Sequence, residues 1–319
     1  MPTTRERTNK YAIGKQAISP SWPIALFIIL SAASLTIWLA PLGATLALAL
    51  RDEQYTHILP ILPISVALLL LDSQNLRRQD LNTSAVKPFQ SSRSVKFASG
   101  LLALALVIST FGKWRSFSPS FDQQLSIDMF ALILWWIASF LLCFRAQAFR
   151  RALFPLGFLF WMVPFPTIVL NPIVSLLQYG SAAAAHLLFL IARIPVAQRG
   201  TLVHIPGLTM EVAPECSSIR SSMILLVISM VLAHLLLRSS WRKIVVVAIA
   251  IPLSVAKNGL RIFVLGVLAT RVDPSYLTGR LHRQGGIIFL LIALAMIFLL
   301  VWILSRGDFQ RPTGAPNQT

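Results

Sequence analysis

Charge is scarce in this chain: Asp, Glu, Lys and Arg make up 12% of its 319 residues, where a soluble domain carries about a quarter. Acid is scarcer still, with 11 Asp and Glu against 28 Lys and Arg. Two cysteines exclude a disulfide framework. The five histidines lack H-E-x-x-H or any similar ligand spacing, which argues against a metal centre. No internal repeat or low-complexity linker divides the chain. What remains is apolar, with 56% hydrophobic residues and a mean hydropathy of +0.73. Such a composition places the chain in a bilayer and excludes a soluble enzyme or a disordered chain.

Apolar stretches long enough to cross about 30 Å of hydrocarbon predict eight crossings, over 23–42, 57–71, 97–111, 127–144, 152–171, 217–237, 244–268 and 285–305. The first is long for a signal-peptide core and reads as a retained anchor. A ninth stretch, 172–193, is interrupted by Pro172, Gln178 and His186. It reads as a helix lying on the outer surface. The expected fold class is therefore an all-α polytopic membrane protein, with about eight transmembrane helices, an outer interfacial helix and a short outer β-hairpin. Residues 1–22 and 306–319 flank a single transmembrane domain, 23–305.

The net charge of +17 resembles the footprint of a nucleic-acid binder, but its placement argues for topology instead. With the N-terminus inside, loops around Arg5–Lys15, Arg77–Lys96, Arg145–Arg151, Arg238–Lys243 and Arg306–Arg311 carry most of the basic residues. Lys and Arg concentrate on the cytoplasmic side, so both termini are expected there, in a plasma (inner) membrane protein with no nucleic-acid partner. If 172–193 crossed, the basic turn at Arg238–Lys243 would face outward against this rule.

Three places break the apolar pattern. Pro206-Gly207 between two short β-like runs reads as a hairpin, leading into Pro214-Glu215-Cys216-Ser217-Ser218-Ile219-Arg220. There Cys216 opens the sixth crossing. A helix N-terminus stabilises a thiolate, aided by Arg220 and opposed by Glu215. Cys143, among Leu141, Leu142 and Phe144, reads instead as a small buried hydrophobe. The seventh crossing carries Lys257, Asn258 and Arg261 on adjoining positions of one face. A charge near the membrane centre costs ~3 kcal/mol on insertion scales. Snorkelling is an equal alternative for Lys257, whereas Arg261 points to function. His282 precedes the eighth crossing; His57, His186 and His204 compete with it for any outer role.

The ordered set Pro214–Ser221, Asn258-Gly259-Leu260-Arg261-Ile262 and His282 with its following glycines resembles the exosortase/archaeosortase family. Asp52-Glu53-Gln54-Tyr55-Thr56-His57 and Trp161-Met162-Val163-Pro164-Phe165-Pro166 are similar to its upstream motifs. Ser218 departs from the family's usual glycine. The resemblance implies a membrane cysteine transpeptidase that needs no cofactor. Its partners would be membrane lipids and secreted proteins bearing a C-terminal Pro-Glu-Pro motif, an apolar helix and a basic tail, in a setting of exopolysaccharide production. Carried over, Cys216 is the acyl-thioester nucleophile, with Arg261 and His282 as proton donor and transition-state stabiliser. A guanidinium is a poor acid and a histidine a natural proton carrier, so the two labels are exchangeable. Arg220, Asn258, Glu215 and His57 are supporting or substrate-binding candidates. A hydrolytic peptidase, an acyltransferase and a polysaccharide-export component remain as alternatives.

Overall fold

The structure is a computed structural model that describes residues 22–80, 92–111, 120–144, 146–212, 219–277 and 280–309. Ten helices and one small sheet follow in chain order among them: α1 (Trp22–Arg51), α2 (Ile61–Asp80), α3 (Ser92–Phe111), α4 (Phe121–Cys143), α5 (Ala146–Arg151), α6 (Leu153–Phe158), α7 (Thr167–Ile191), β1 (Ala197–Arg199), β2 (Leu202–Ile205), β3 (Leu208–Glu211), α8 (Ile219–Leu236), α9 (Ser240–Arg271) and α10 (Arg280–Phe309). Short 3-10 turns cover Glu53–Ile58, Leu159–Met162 and Pro274–Leu277. The all-α polytopic class expected from the sequence holds. Among the described residues, seven helices are long and apolar enough to cross a membrane, and the apolar stretch Ser94–Thr110 is slightly short of that.

Local sequence explains the breaks. Pro41 removes one helical N–H, and α1 kinks three residues earlier, where Trp38 leaves helical geometry (φ −114°, ψ 17°). The kinked residue is buried and packs its ring 5.7 Å from Trp135 of α4. α1 and α4 run antiparallel, tied by Trp135 Nε1 to the Leu30 carbonyl (3.0 Å) and Trp136 Nε1 to Ser34 Oγ (2.9 Å). Between α3 and α4 lies the buried carboxylate of Asp128, which accepts from Ser109 Oγ at 2.7 Å and Gln124 Nε2 at 2.9 Å. Such bonds are what a buried polar group requires.

Two faces of the bundle follow from these contacts. One carries the end of α1, Glu53, Asp122 and the start of α8; the other carries the end of α8 and the α8–α9 turn. Segment 153–166 climbs between them. The Phe154 ring stacks 3.9 Å from His234 near the end of α8. Ser65 Oγ donates to the Pro155 carbonyl (2.7 Å), Ser126 Oγ to the Pro164 carbonyl (2.7 Å), and Tyr55 Oη to the Phe165 carbonyl (3.0 Å). Pro155, Pro164 and Pro166 break this stretch. Its freed carbonyls cannot go unpaired in hydrocarbon, and three hydroxyls take them.

The sequence placed one crossing over 152–171 and a surface helix over 172–193. The structure moves that boundary: the break falls at Val163–Pro166, and α7 begins at Thr167 and carries Pro172 inside it. Thr167 N and Oγ1 both donate to Asp122 Oδ2 at 2.7 Å, on the Glu53 face. The far half of α7 runs parallel to the outer part of α9, with Gly180 against Val255 and Phe189 against Gly266. Both ends of α7 therefore lie on the Glu53 face, although the helix is long enough to cross. Among the described residues, α1, α2, α3, α4, 153–166, α8, α9 and α10 run between the two faces.

The hairpin at Pro206-Gly207 is present, with Gly207 at φ +82°, a region open to glycine. A third strand, β1, adds antiparallel to β2. Val203, Ile205 and Met210 of the sheet pack on Ala182, Ala185 and Phe189 of α7 and Ile262 of α9.

Candidate active site

The polar face of α9 is turned into the bundle. Lys257 is 6% exposed and Asn258 1%. The back of the helix is held by α7, which approaches so closely that a Cβ on Gly259 would sit 2.4 Å from Ala184 Cβ and 3.0 Å from its backbone. With that side occupied by α7, the lysine meets α8. Lys257 Nζ donates to Ser221 Oγ, and one turn earlier Ser254 Oγ donates to Ser222 Oγ. These two contacts set α8 and α9 antiparallel. One turn further along α9, the Arg261 guanidinium lies over Gly286 of α10, 3.8 Å from where a Cβ there would be. Three crossings thus meet at a cluster of two cations, an amide and three hydroxyls, of which Lys257, Asn258 and Ser254 are buried and Arg261, Ser221 and Ser222 half-buried.

The rim of this cluster comes from the N-terminal half. Arg220, second residue of α8, pairs with Glu53 at 3.2 Å. Both side chains are open to solvent (49% and 81% exposed), so the pair contributes well under ~1 kcal/mol. Glu53 opens a turn started by Asp52, whose carboxylate accepts from the Gln54 N–H at 2.9 Å. Within it His57 is buried and donates from Nδ1 to the Gln54 carbonyl at 3.1 Å. Through Tyr55 and the Phe165 carbonyl the turn also holds the Pro164–Pro166 corner. Two motifs 110 residues apart in the chain are in this way joined by one hydrogen bond.

Of the residues singled out from the sequence, the structure brings Lys257, Asn258 and Arg261 of α9, Arg220 of α8 and His57 to the same face. Glu215, Cys216 and the side chain of His282 lie outside the described residues. His204 is spent within the hairpin, its Nδ1 3.0 Å from Thr209 Oγ1. Cys143 is buried at the opposite end of α4, as expected for a packing residue. Sequence reasoning missed the contacts of Ser221, Ser222 and Ser254, and the pairing of Glu53 with Arg220. Three serines on two facing apolar helices, at spacings that share a face with Lys257, were the available signal. Nothing local marks Glu53 as the partner of Arg220.

The helical bundle, with polar residues buried where its long apolar helices meet, defines a polytopic membrane protein. Over residues 38–299 the sequence matches the transmembrane exosortase family, and the chain belongs to that family. Membership supports a membrane transpeptidase-like role in general terms. No curated protein and no solved structure matches the chain.

Proposed function

We propose that the protein is a membrane cysteine transpeptidase. It cleaves a C-terminal sorting signal of the Pro-Glu-Pro type from secreted proteins, holds them as an acyl-thioester on Cys216, and transfers them to an acceptor. The observation that supports this most is the register of α8 on α9. Ser222 meets Ser254 and Ser221 meets Lys257. Cys216 precedes Ser221 by five residues in the sequence and Arg261 follows Lys257 by four, so in this reading the thiol of the first acts with the guanidinium of the second. Arg261 in turn abuts Gly286 of α10, four residues from His282. The reading assigns a nucleophile, a fixed cation and a proton carrier to three different crossings, the set that peptide cleavage requires.

In this reading the Arg261 guanidinium stabilises the thiolate and the developing oxyanion. His282 gives a proton to the leaving amine. Asn258, buried beside them, orients Arg261 or donates to the oxyanion. Arg220 receives the acidic residue of the sorting signal, which displaces Glu53 at little cost because that ion pair is solvent-exposed. Glu215 and His57 shape the rim. The basic loops put both termini in the cytoplasm of a plasma (inner) membrane protein and this face outside.

Trapping tests the reading. Membranes holding the protein are incubated with a reporter ending in a Pro-Glu-Pro motif, an apolar helix and a basic tail. A thioester adduct on Cys216, abolished in Cys216→Ala, is the expected result. Undiminished processing by Cys216→Ala overturns it. Product mass separates transfer from hydrolysis.

A further inference from the structure

Lys257 is the buried cation that cleavage leaves without a task. Among the described residues no carboxylate lies within ion-pair distance of it. Burying an ammonium without an acid beside it is unfavourable, and Arg261, one turn along the same helix, repels it further. Snorkelling does not relieve this, because the side chain is turned onto α8 and is 6% exposed. A merely structural contact with Ser221 would be served by a neutral side chain at none of these costs. A desolvated lysine amine that has lost its proton is a proton acceptor, and the same Nζ–Oγ contact in which the ammonium donates to Ser221 then runs in reverse, with the hydroxyl donating to the amine. The contact is braced by Ser222 and Ser254 between the same two helices.

The acyl-enzyme reading creates a need for such a base. Once the peptide is held on sulfur, an acceptor amine, hydroxyl or water must attack, and it sheds a proton as it does so. Arg261 does not take that proton, since a guanidinium stays charged. We propose that Lys257, acting through Ser221, is the base that activates the acceptor in the transfer half of the reaction. The acceptor's N–H or O–H bond breaks as its nitrogen or oxygen bonds to the acyl carbon. That proton passes to Ser221 Oγ while the serine's own proton passes to the free amine of Lys257, which becomes an ammonium. The C–S bond then breaks, and the Cys216 sulfur leaves as a thiolate, ready for the next substrate.

This inference rests on the Cys216 reading, and the test keeps the two apart. Lys257→Met, Lys257→Arg and Ser221→Ala are prepared in the full chain in membranes, with the same reporter and glycine ethyl ester as the acceptor. Variants are first matched for membrane insertion and thermal unfolding. The expected result is a split: cleavage still loads Cys216, the adduct accumulates at least tenfold, and product release falls on the order of 100-fold. Lys257→Arg does not rescue release, because charge alone is insufficient. Normal release in Lys257→Met, rescue by Lys257→Arg, or loss of the adduct in a folded Lys257→Met protein each overturns the proposal. Should Cys216→Ala keep processing the reporter while Ser221→Ala is dead, the cysteine reading fails instead, and the pair itself holds the nucleophile.

Discussion

Arg261 and Lys257 illustrate why a charged residue in an apolar helix has to be judged by its neighbours. They lie four apart on α9, yet one meets a hydroxyl of α8 and the other a glycine of α10. If Arg261 acts on the reacting atoms, Arg261→Lys is not conservative, because an ammonium lacks the planar fork. Processing of the reporter should fall on the order of 100-fold in Arg261→Lys and at least as far in Arg261→Ala. Protein level and insertion should be unchanged on immunoblots of washed membranes. The Arg220–Glu53 pair predicts the opposite. A double-mutant cycle of Arg220→Gln and Glu53→Gln, read by thermal unfolding in detergent, should give a coupling below ~1 kcal/mol. In the same cycle Glu53→Gln should retain processing, whereas Arg220→Gln should raise KM for an acidic sorting motif more than it lowers kcat.

Among the elements, α7 and α9 depend on close approach. Gly259→Ala drives a Cβ into Ala184 and its backbone, neither of which can swing aside, and overpacking of this sort costs ~1–3 kcal/mol. Gly43 in α1 has nothing within 4 Å of its would-be Cβ, so Gly43→Ala should gain about 0.5–1 kcal/mol from helix entropy. Melting temperatures in one detergent should therefore move in opposite directions. The limits of these elements were only partly legible. Apolar runs marked α1, α4, α8, α9 and α10, because about 20 apolar residues in a row have one solution in lipid. Pro164-Phe165-Pro166 and Asn171-Pro172 look equally disruptive in sequence. Only the first breaks the chain, where Ser126 and Tyr55, from distant segments, accept custody of its carbonyls.

For the molecule as a whole, the basic loops predict which face is outside. Reporter fusions at both termini should score as cytoplasmic. In a Cys143→Ala/Cys216→Ala background, cysteines introduced at Thr167, Gln198 and Arg220 should all be labelled by an impermeant thiol reagent from the opposite side. Labelling of Thr167 from the cytoplasm would make α7 the crossing in place of 153–166, whereas labelling of Gln198 and Arg220 from the cytoplasm would invert everything after α7.

Composition settled the class of this protein. Scarce charge and long apolar runs leave helices in a bilayer, because only internally bonded backbones survive there. Spacing along single helices also named the residues of interest, since Lys257, Asn258 and Arg261 sit together on any helix. Who meets whom was decided by packing between segments far apart in the chain. Ser221 under Lys257, Glu53 on Arg220, Tyr55 on Phe165 and Thr167 on Asp122 each depend on how far one helix slides along another. That offset is set by side-chain shape and glycine contacts across the interface, which a linear pattern of apolar and polar letters does not encode.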